Sequence, residues 1–193
     1  MPDLILASTS PYRRRLLERL GAPFRCVAPE CDEAAVKAEG LPPRMLAEKL
    51  ARLKAASIAA REPHAVVLGG DQIAVGPLGI LDKPGAPEAA AAQLRQLSGR
   101  THELITAVAV QRGDVVRDHT DVARLTMREL DATRIEAYLD ADQPWDCAGS
   151  YKLESRGIGL FERIECADFT AIEGLPLMAL AGILRELGVG LKW

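Results

Sequence analysis

Aromatic side chains are scarce in this sequence: three Phe, three Tyr and two Trp among 193 residues, although 48% of residues are hydrophobic. The core must therefore be aliphatic, built from Ala, Leu, Val and Ile. Excess positive charge is missing too. With 24 Lys and Arg against 27 Asp and Glu, the formal net charge is −3, which excludes a general nucleic-acid binder, since that needs a broad basic surface. Any polyanion must be met by a local basic cluster. Cysteine is limited to Cys26, Cys31, Cys147 and Cys166, with no C-x-x-C pair and no His at zinc-finger spacing. These read as free thiols of a reducing cytosol. Long apolar runs are absent as well. Stretches such as "LITAVAV" fall far short of the roughly 20 residues a membrane span requires, and an early Asp3 with hydroxyls from Ser8 is unlike a signal peptide. Repeats, low-complexity tracts and obvious linkers do not occur. The expectation is one domain over residues 1–193 of a cytoplasmic globular protein, with no membrane partner.

What is present alternates loosely between strand and helix patterns. "LILA" has strand length. Pro11 then sits at a first helical position behind Ser10 as N-cap, Leu16, Leu17 and Leu20 give one buried face, and Gly21 ends the helix. "PPRMLAEKLARLKAASIAARE" reads as a long amphipathic helix, "AVVLGGDQIAV" as a buried strand, and "PEAAAAQLRQLSG" as a helix from Pro87 closed by Gly99. Two or three strands surround the "RGD" turn at residues 112–114. "DATRIEAYLD" is a helix capped by Asp131, "GIGLFERIE" a strand, and "GLPLMALAGILRELG" a closing helix. The pattern predicts an α/β fold with a mixed twisted sheet and flanking helices.

Three consecutive arginines, Arg13, Arg14 and Arg15, stand in the first turn of the amino-terminal helix. A cation is disfavoured there by about 0.3–1 kcal/mol, because the helix start is itself positive. At about 100° per residue, Arg13 shares the face of Leu17 and Leu20, Arg14 lies on its flank and Arg15 faces away. An anion docked at the helix start would reverse the sign of these terms, with backbone N–H groups, the Ser8, Thr9 and Ser10 hydroxyls and an arginine fork donating to it. A capped helix with solvated arginines is the alternative.

Asp71 and Gln72 interrupt an apolar strand just after Gly69 and Gly70. A buried carboxylate is costly unless paired or bound to a metal; a polar turn between two short strands would relieve it too. Asp32 and Glu33 form a second acidic pair on a loop after the first helix. Carboxylates from two segments suit Mg²⁺ that keeps waters and also holds substrate phosphates. Only six of the 24 basic residues are Lys, so Lys54 in the long helix and Lys83 in the "LDKPG" turn are candidate point charges for phosphate, or ordinary surface residues.

Together, "LASTSPYRR", "CDE", "LKA", "GGDQ", "DKPG", "LSGRTHELITAV", "CAGSYKLES" with "GIGLFERIE", and "EGLPL" resemble, in order and over nearly the whole chain, the Maf family of nucleoside triphosphate pyrophosphatases. The resemblance implies two lobes around a cleft, as in inosine triphosphatase-like folds. It also implies metal-dependent hydrolysis of a nucleoside triphosphate between its α and β phosphates. Asp71-Gln72, Tyr12 and Glu154 resemble the branch that acts on 7-methyl-GTP, where an aromatic face and a carboxylate would both favour a cationic purine. A dTTP/UTP pyrophosphatase of the same family, or a nucleotide-binding regulator of septum formation without significant turnover, stays open.

The roles that follow are Asp71 as general base or orienter of the attacking water, and Glu33 with Asp71 as ligands of Mg²⁺ or Mn²⁺. Arg13, Lys54 and Lys83 would meet the phosphates, with Ser8, Ser10 and Arg14 adding substrate contacts, and Tyr12, Gln72 and Glu154 setting base specificity. His102 reads as a hydrogen-bonding residue of a turn or strand end, and no cysteine has a sequence neighbour that would activate it. Tyr12 stands where the branch often has Trp. Cys166 and Glu173 depart from the family pattern in "CADFTAIEGLP", so a different loop shape is expected there. A homodimer is left open.

Overall fold

The computed structural model describes residues 2–191. Its elements are β1 (Leu4–Ala7), α1 (Pro11–Glu18), β2 (Phe24–Cys26), α2 (Glu33–Ala38), α3 (Pro43–Ala59), β3 (Val66–Gly76), β4 (Gly79–Leu81), α4 (Pro87–Leu97), β5 (Thr101–Arg112), β6 (Val115–Met127), α5 (Ala132–Asp142), β7 (Phe161–Glu165), α6 (Phe169–Ile172) and α7 (Leu177–Glu186). The strands form a mixed open sheet in the order β2-β1-β3-β5-β6-β7, with β4 paired to β3. β1 runs parallel to both β2 and β3, while β4 and β7 are antiparallel to β3 and β6. The fold is therefore α/β with helices flanking a mixed sheet.

The chain forms two compact units. The described residues of the first fall within Met1–Gln72, Thr106–Asp121 and Asp168–Trp193, and those of the second within Ile73–Ile105 and Val122–Ala167. In the first unit, side chains alternate across the sheet with the period of a strand. Leu4 and Leu6 of β1, Val66 and Leu68 of β3, and Val108 and Val110 of β5 point to one face. There they join Leu16, Leu17 and Leu20 of the first helical segment and Leu177, Leu180 and Leu184 of α7 in one buried cluster. Burial of each such side chain contributes roughly 1.5–3 kcal/mol, enough to fix α1 and α7 to that face. The opposite face receives α3. Gly69 permits this approach, because a Cβ there would overlap the Ala51 carbonyl oxygen and lie 2.6 Å from Ala55 N.

Local signals explain the helix starts. Ser10 caps α1 by accepting from Arg13 N, and Asp131 caps α5 by accepting from Arg134 N. Two strands, β5 and β6, flank the turn at residues 113–114, where Gly113 adopts a φ of 56°. Two expectations need correction. Glu33 lies not on a loop but at the first position of α2, whose N-cap is Asp32. The segment "GIGLFERIE" is a strand only from Phe161, since Arg156–Leu160 forms a 3-10 turn. Gly157 there abuts the backbone of Lys152 so closely that any side chain would overlap it.

Candidate active site

Three elements of the first unit bring charge to one place. β3 carries Asp71, α3 carries Lys54 and the start of α2 carries Glu33. Gly69 and Asp71 are two residues apart, so both face α3. The tight approach of α3 at Gly69 sets Lys54 against the acid: Lys54 Nζ donates to Asp71 Oδ1 at 2.7 Å and meets Glu33 Oε1 at 2.8 Å. Lys54 and Asp71 are buried, and the Glu33 side chain is half exposed. One ammonium thus bridges two carboxylates and leaves one negative charge over. Burial alone would raise the Glu33 pKa, but the hydrogen bond and charge of Lys54, helped by Lys37 and Arg13, outweigh it and hold the carboxyl below its ordinary range.

Gly70 and Gln72 face the other way. A Cβ on Gly70 would lie 3.6 Å from Arg13 Nε, so Arg13 passes directly over this bare stretch of strand. Its Nε–H donates to the Gly174 carbonyl at 3.3 Å. Burial pushes the guanidinium pKa down, while the charges of Asp71 and Glu33 pull it up. Arg13, Lys54, Glu33 and Asp71 therefore form one electrostatic group in which two cations and two anions cancel.

The loop beneath Arg13 is fastened at several points. Asp168 caps α6, accepting from Thr170 N at 2.9 Å and Thr170 Oγ1 at 2.6 Å, and also takes the Met178 N–H at 2.8 Å. Gln72 Nε2 lies within 2.9–3.0 Å of Thr106 Oγ1 and of the Ala171 and Ile172 carbonyls, and Thr106 donates to Ala171 O at 2.9 Å. Gln72, expected to read the base, has its amide nitrogen committed to holding this loop. Asp168, Thr106 and the Gly174 carbonyl were not singled out from sequence. A hydroxyl inside the apolar run "LITAVAV" was the available signal for Thr106.

The helix start differs from expectation in its detail. Ser8 Oγ accepts from Ser10 N at 3.1 Å and Ser10 Oγ from Arg13 N at 3.4 Å, so two of the N–H groups expected to meet an anion are bound locally. Both hydroxyls keep a proton to donate. Arg14 is not brought to the cluster. Rotated away from Arg13 onto the solvent flank, it pairs with Glu18 at 3.2 Å. Tyr12 is half-buried, and the Arg15 guanidinium lies 5.2 Å from its ring centroid, which places a cation over one ring face. Lys83 and Glu154 lie in the second unit, both exposed, in the segments before α4 and after Tyr151.

His102, also of the second unit, is 2% exposed. Its Nε2 sits 2.8 Å from the Tyr151 hydroxyl, and its ring packs against Tyr151 and Phe161. This is the hydrogen-bonding role expected of it. Burial lowers its pKa from 6.5 to about 4. The folded chain therefore refuses a proton that the unfolded chain accepts. The resulting stability is complete above pH 6.5 and is lost as the pH falls through about 4, a difference worth up to about 3 kcal/mol. Denaturant unfolding at pH 7 and pH 4 should show His102→Gln losing less stability across that interval than the wild type. Equal losses would contradict the buried neutral imidazole.

The donor set fits a divalent cation. Glu33 and Asp71 supply hard carboxylate oxygens that already converge on one positive charge, that of Lys54. Among the described residues no three His, Cys, Asp or Glu side chains group around a common point, so Mg²⁺ or Mn²⁺ would need substrate and water oxygens as well, its usual habit beside phosphates. A thiol nucleophile has no support here: burial pushes the nearby Cys31 up, against the pull of Lys54.

Residues 3–187 match the Maf family, described as Maf-like protein. The chain belongs to that family. It is 50% identical over 184 residues to the 7-methyl-GTP pyrophosphatase of Bdellovibrio bacteriovorus, a match covering 95% of this chain and 96% of the relative. It is 48% identical to the 7-methyl-GTP pyrophosphatase of Polaromonas sp., over 97% of this chain and 86% of the relative. Identity to the protein of that name from Pseudomonas aeruginosa is 43%, over 98% of both chains.

Proposed function

We propose that this chain is a nucleoside triphosphate pyrophosphatase that hydrolyses 7-methyl-GTP to the nucleoside monophosphate and pyrophosphate. The observation that carries the reading is the Lys54 ammonium held between Asp71 and Glu33 with Arg13 alongside, in a chain about half identical to proteins named for that reaction. Buried ion pairs gain little net stability, and the charges here only cancel, so a polyphosphate bound beside Lys54 and Arg13 calls for the further positive charge of a divalent cation.

In the reaction, Asp71 accepts a proton from water as the water oxygen bonds to the α-phosphorus. The bond between the α-phosphorus and the oxygen bridging to the β-phosphorus breaks, and that oxygen leaves with pyrophosphate. Lys54 holds the Asp71 carboxylate in place by its hydrogen bond and adds positive charge where the leaving group becomes negative. Arg13, steered by the Gly174 carbonyl, offers its terminal nitrogens as a phosphate fork, and the Ser8 and Ser10 hydroxyls donate to phosphate oxygens. A divalent cation held by Glu33 and Asp71 would supply Lewis-acid polarisation of the phosphate and neutralise charge that the balanced cluster leaves over. On the family resemblance, Lys83 also serves the phosphates and Glu154 reads the base. The four free cysteines suit a reducing, cytoplasmic setting, and no described helix is long and apolar enough to cross a membrane.

A panel of 7-methyl-GTP, GTP, dTTP and UTP, with pyrophosphate detection in Mg²⁺, Mn²⁺ and chelator, tests the reading. Metal-dependent release that is fastest on 7-methyl-GTP is expected; preference for dTTP or UTP would move the chain to the other substrate class. Glu154→Ala should lower the ratio of 7-methyl-GTP to UTP turnover by about tenfold, since hydrogen bonds to a charged group are worth roughly 1.5–3 kcal/mol. Tyr12→Ala should lower it less, because Arg15 already covers one ring face. An unchanged ratio in Glu154→Ala would remove Glu154 from base recognition.

A further inference from the structure

In the second unit one side chain ties together the two segments that carry Lys83 and Glu154. Gln93 projects from α4, and both ends of its amide are engaged. Its Nε2 donates to the Asp82 carbonyl at 2.7 Å, and its Oε1 accepts from Ser150 Oγ at 2.6 Å. The orientation is dictated, because a reversed amide would set oxygen against the Asp82 carbonyl. Asp82 immediately precedes Lys83. Ser150 opens the run to Glu154, is fully buried, and holds a left-handed φ of 63° behind Gly149 at 83°. A serine keeps that conformation at some cost, and such outliers collect where geometry serves function. The same two segments meet again where Gly85 N donates to the Trp145 carbonyl at 2.9 Å. Further along the second segment, Tyr138 Oη accepts from Lys152 N at 2.9 Å, and the buried Asp142 accepts from Ser155 Oγ and Arg156 N, both at 3.0 Å. The run to Glu154 is thus pinned from α4 on one side and α5 on the other.

We propose that Gln93 is a positioning residue for the reaction: its amide fixes the spacing between the Lys83 turn and the Ser150–Glu154 run, so that the phosphate cation and the base-reading carboxylate act on one nucleotide in register. This rests on the pyrophosphatase reading and on the roles given there to Lys83 and Glu154. The two ends of the amide make separable predictions. Gln93→Glu keeps an acceptor for Ser150 but places a carboxylate oxygen against the Asp82 carbonyl, which disturbs the Lys83 turn. Ser150→Ala releases the Glu154 run and leaves the Asp82 bond intact. Gln93→Leu removes both.

The test is steady-state kinetics of these variants on 7-methyl-GTP and UTP, with amide hydrogen exchange of segments 82–85 and 145–155. Gln93→Glu should lower kcat about tenfold on both substrates with their ratio kept. Ser150→Ala should raise KM for 7-methyl-GTP and shift the ratio with kcat nearly kept. Gln93→Leu should do both, and exchange should quicken at least tenfold in both segments and not in β1 or α7. Wild-type kinetics in Gln93→Leu, or identical changes in Gln93→Glu and Ser150→Ala, would overturn the positioning role while wild-type turnover leaves the pyrophosphatase reading standing. Wild-type protein inert to every triphosphate would overturn that reading and the role of Gln93 with it.

Discussion

Asp71→Asn should lower kcat on 7-methyl-GTP by about 10²- to 10⁴-fold, the range a positioned general base contributes, while nucleotide affinity changes little. Asparagine can still accept the Lys54 hydrogen bond, so the side chain stays in place while its capacity to take a proton is lost. The fold should survive. Lys54 retains Glu33 at 2.8 Å, so its charge is not orphaned, and the destabilisation stays below the ~3–5 kcal/mol of an uncompensated buried ion. Single-turnover kinetics and calorimetric binding of the nucleotide separate the two effects. Half of the wild-type rate remaining would remove Asp71 from the chemistry, and a parallel collapse of binding would recast it as a binding residue.

Gly69→Ala should destabilise the fold severely. The added Cβ would overlap the Ala51 carbonyl oxygen and stand 2.6 Å from Ala55 N and 3.1 Å from Ala55 Cβ. Two of these are backbone atoms of α3, which no rotamer change can withdraw. The helix must move, at a cost at or above the upper end of the ~1–3 kcal/mol of an overpacked core, or roughly 6–12 °C in Tm for a chain of this size. α3 also carries Lys54, so molecules that remain folded should lose activity as the Lys54–Asp71 distance opens. Gly70→Ala is the control. Its Cβ would meet Leu175 Cδ2 at 3.4 Å and the Ala107 carbonyl oxygen and Arg13 Nε at 3.6 Å, all ordinary van der Waals distances. Thermal unfolding should therefore place Gly70→Ala well above Gly69→Ala, and equal melting would contradict the close approach of α3 to β3.

The contrast between the two glycines shows how far the sequence can be read. Wherever structure depends on neighbours in the chain, the signal is visible. Ser10, Pro11 and the Leu16–Leu17–Leu20 stripe mark α1, and Asp131 marks α5. The "GGDQ" interruption of an apolar strand allows a bulge or a close approach, and a buried acid or a polar turn; the structure has the close approach, of α3 at Gly69, and the buried acid. The α2 helix offers only its N-cap, Asp32, because six residues with Val36 alone buried leave no periodicity to detect. The 3-10 turn at Arg156–Leu160 is set by Lys152, whose backbone presses on Gly157, and apolar spacing cannot register that.

The site follows the same division. Residue type marks Asp71, Glu33 and Lys54, residue type and helical angle mark Arg13, and the structure brings those four together. Arg14 has the same chemistry as Arg13 and differs only in its angle around the helix. That angle delivers it to Glu18 instead. Gln72 and Gln93 are further cases. Each amide is held by partners many residues away, Gln72 by Thr106 and the residue 171–172 carbonyls and Gln93 by Asp82 and Ser150, so their work as ties appears only in three dimensions.

Phosphorus NMR of 7-methyl-GTP incubated with the protein and Mg²⁺ or Mn²⁺, run beside Asp71→Asn, shows which anhydride bond is cut and whether Asp71 is needed to cut it. Resonances of pyrophosphate and 7-methyl-GMP should grow in equal amounts with the wild type, with almost none from the variant. Orthophosphate with a nucleoside diphosphate, or equal product from Asp71→Asn, would contradict the proposed reaction.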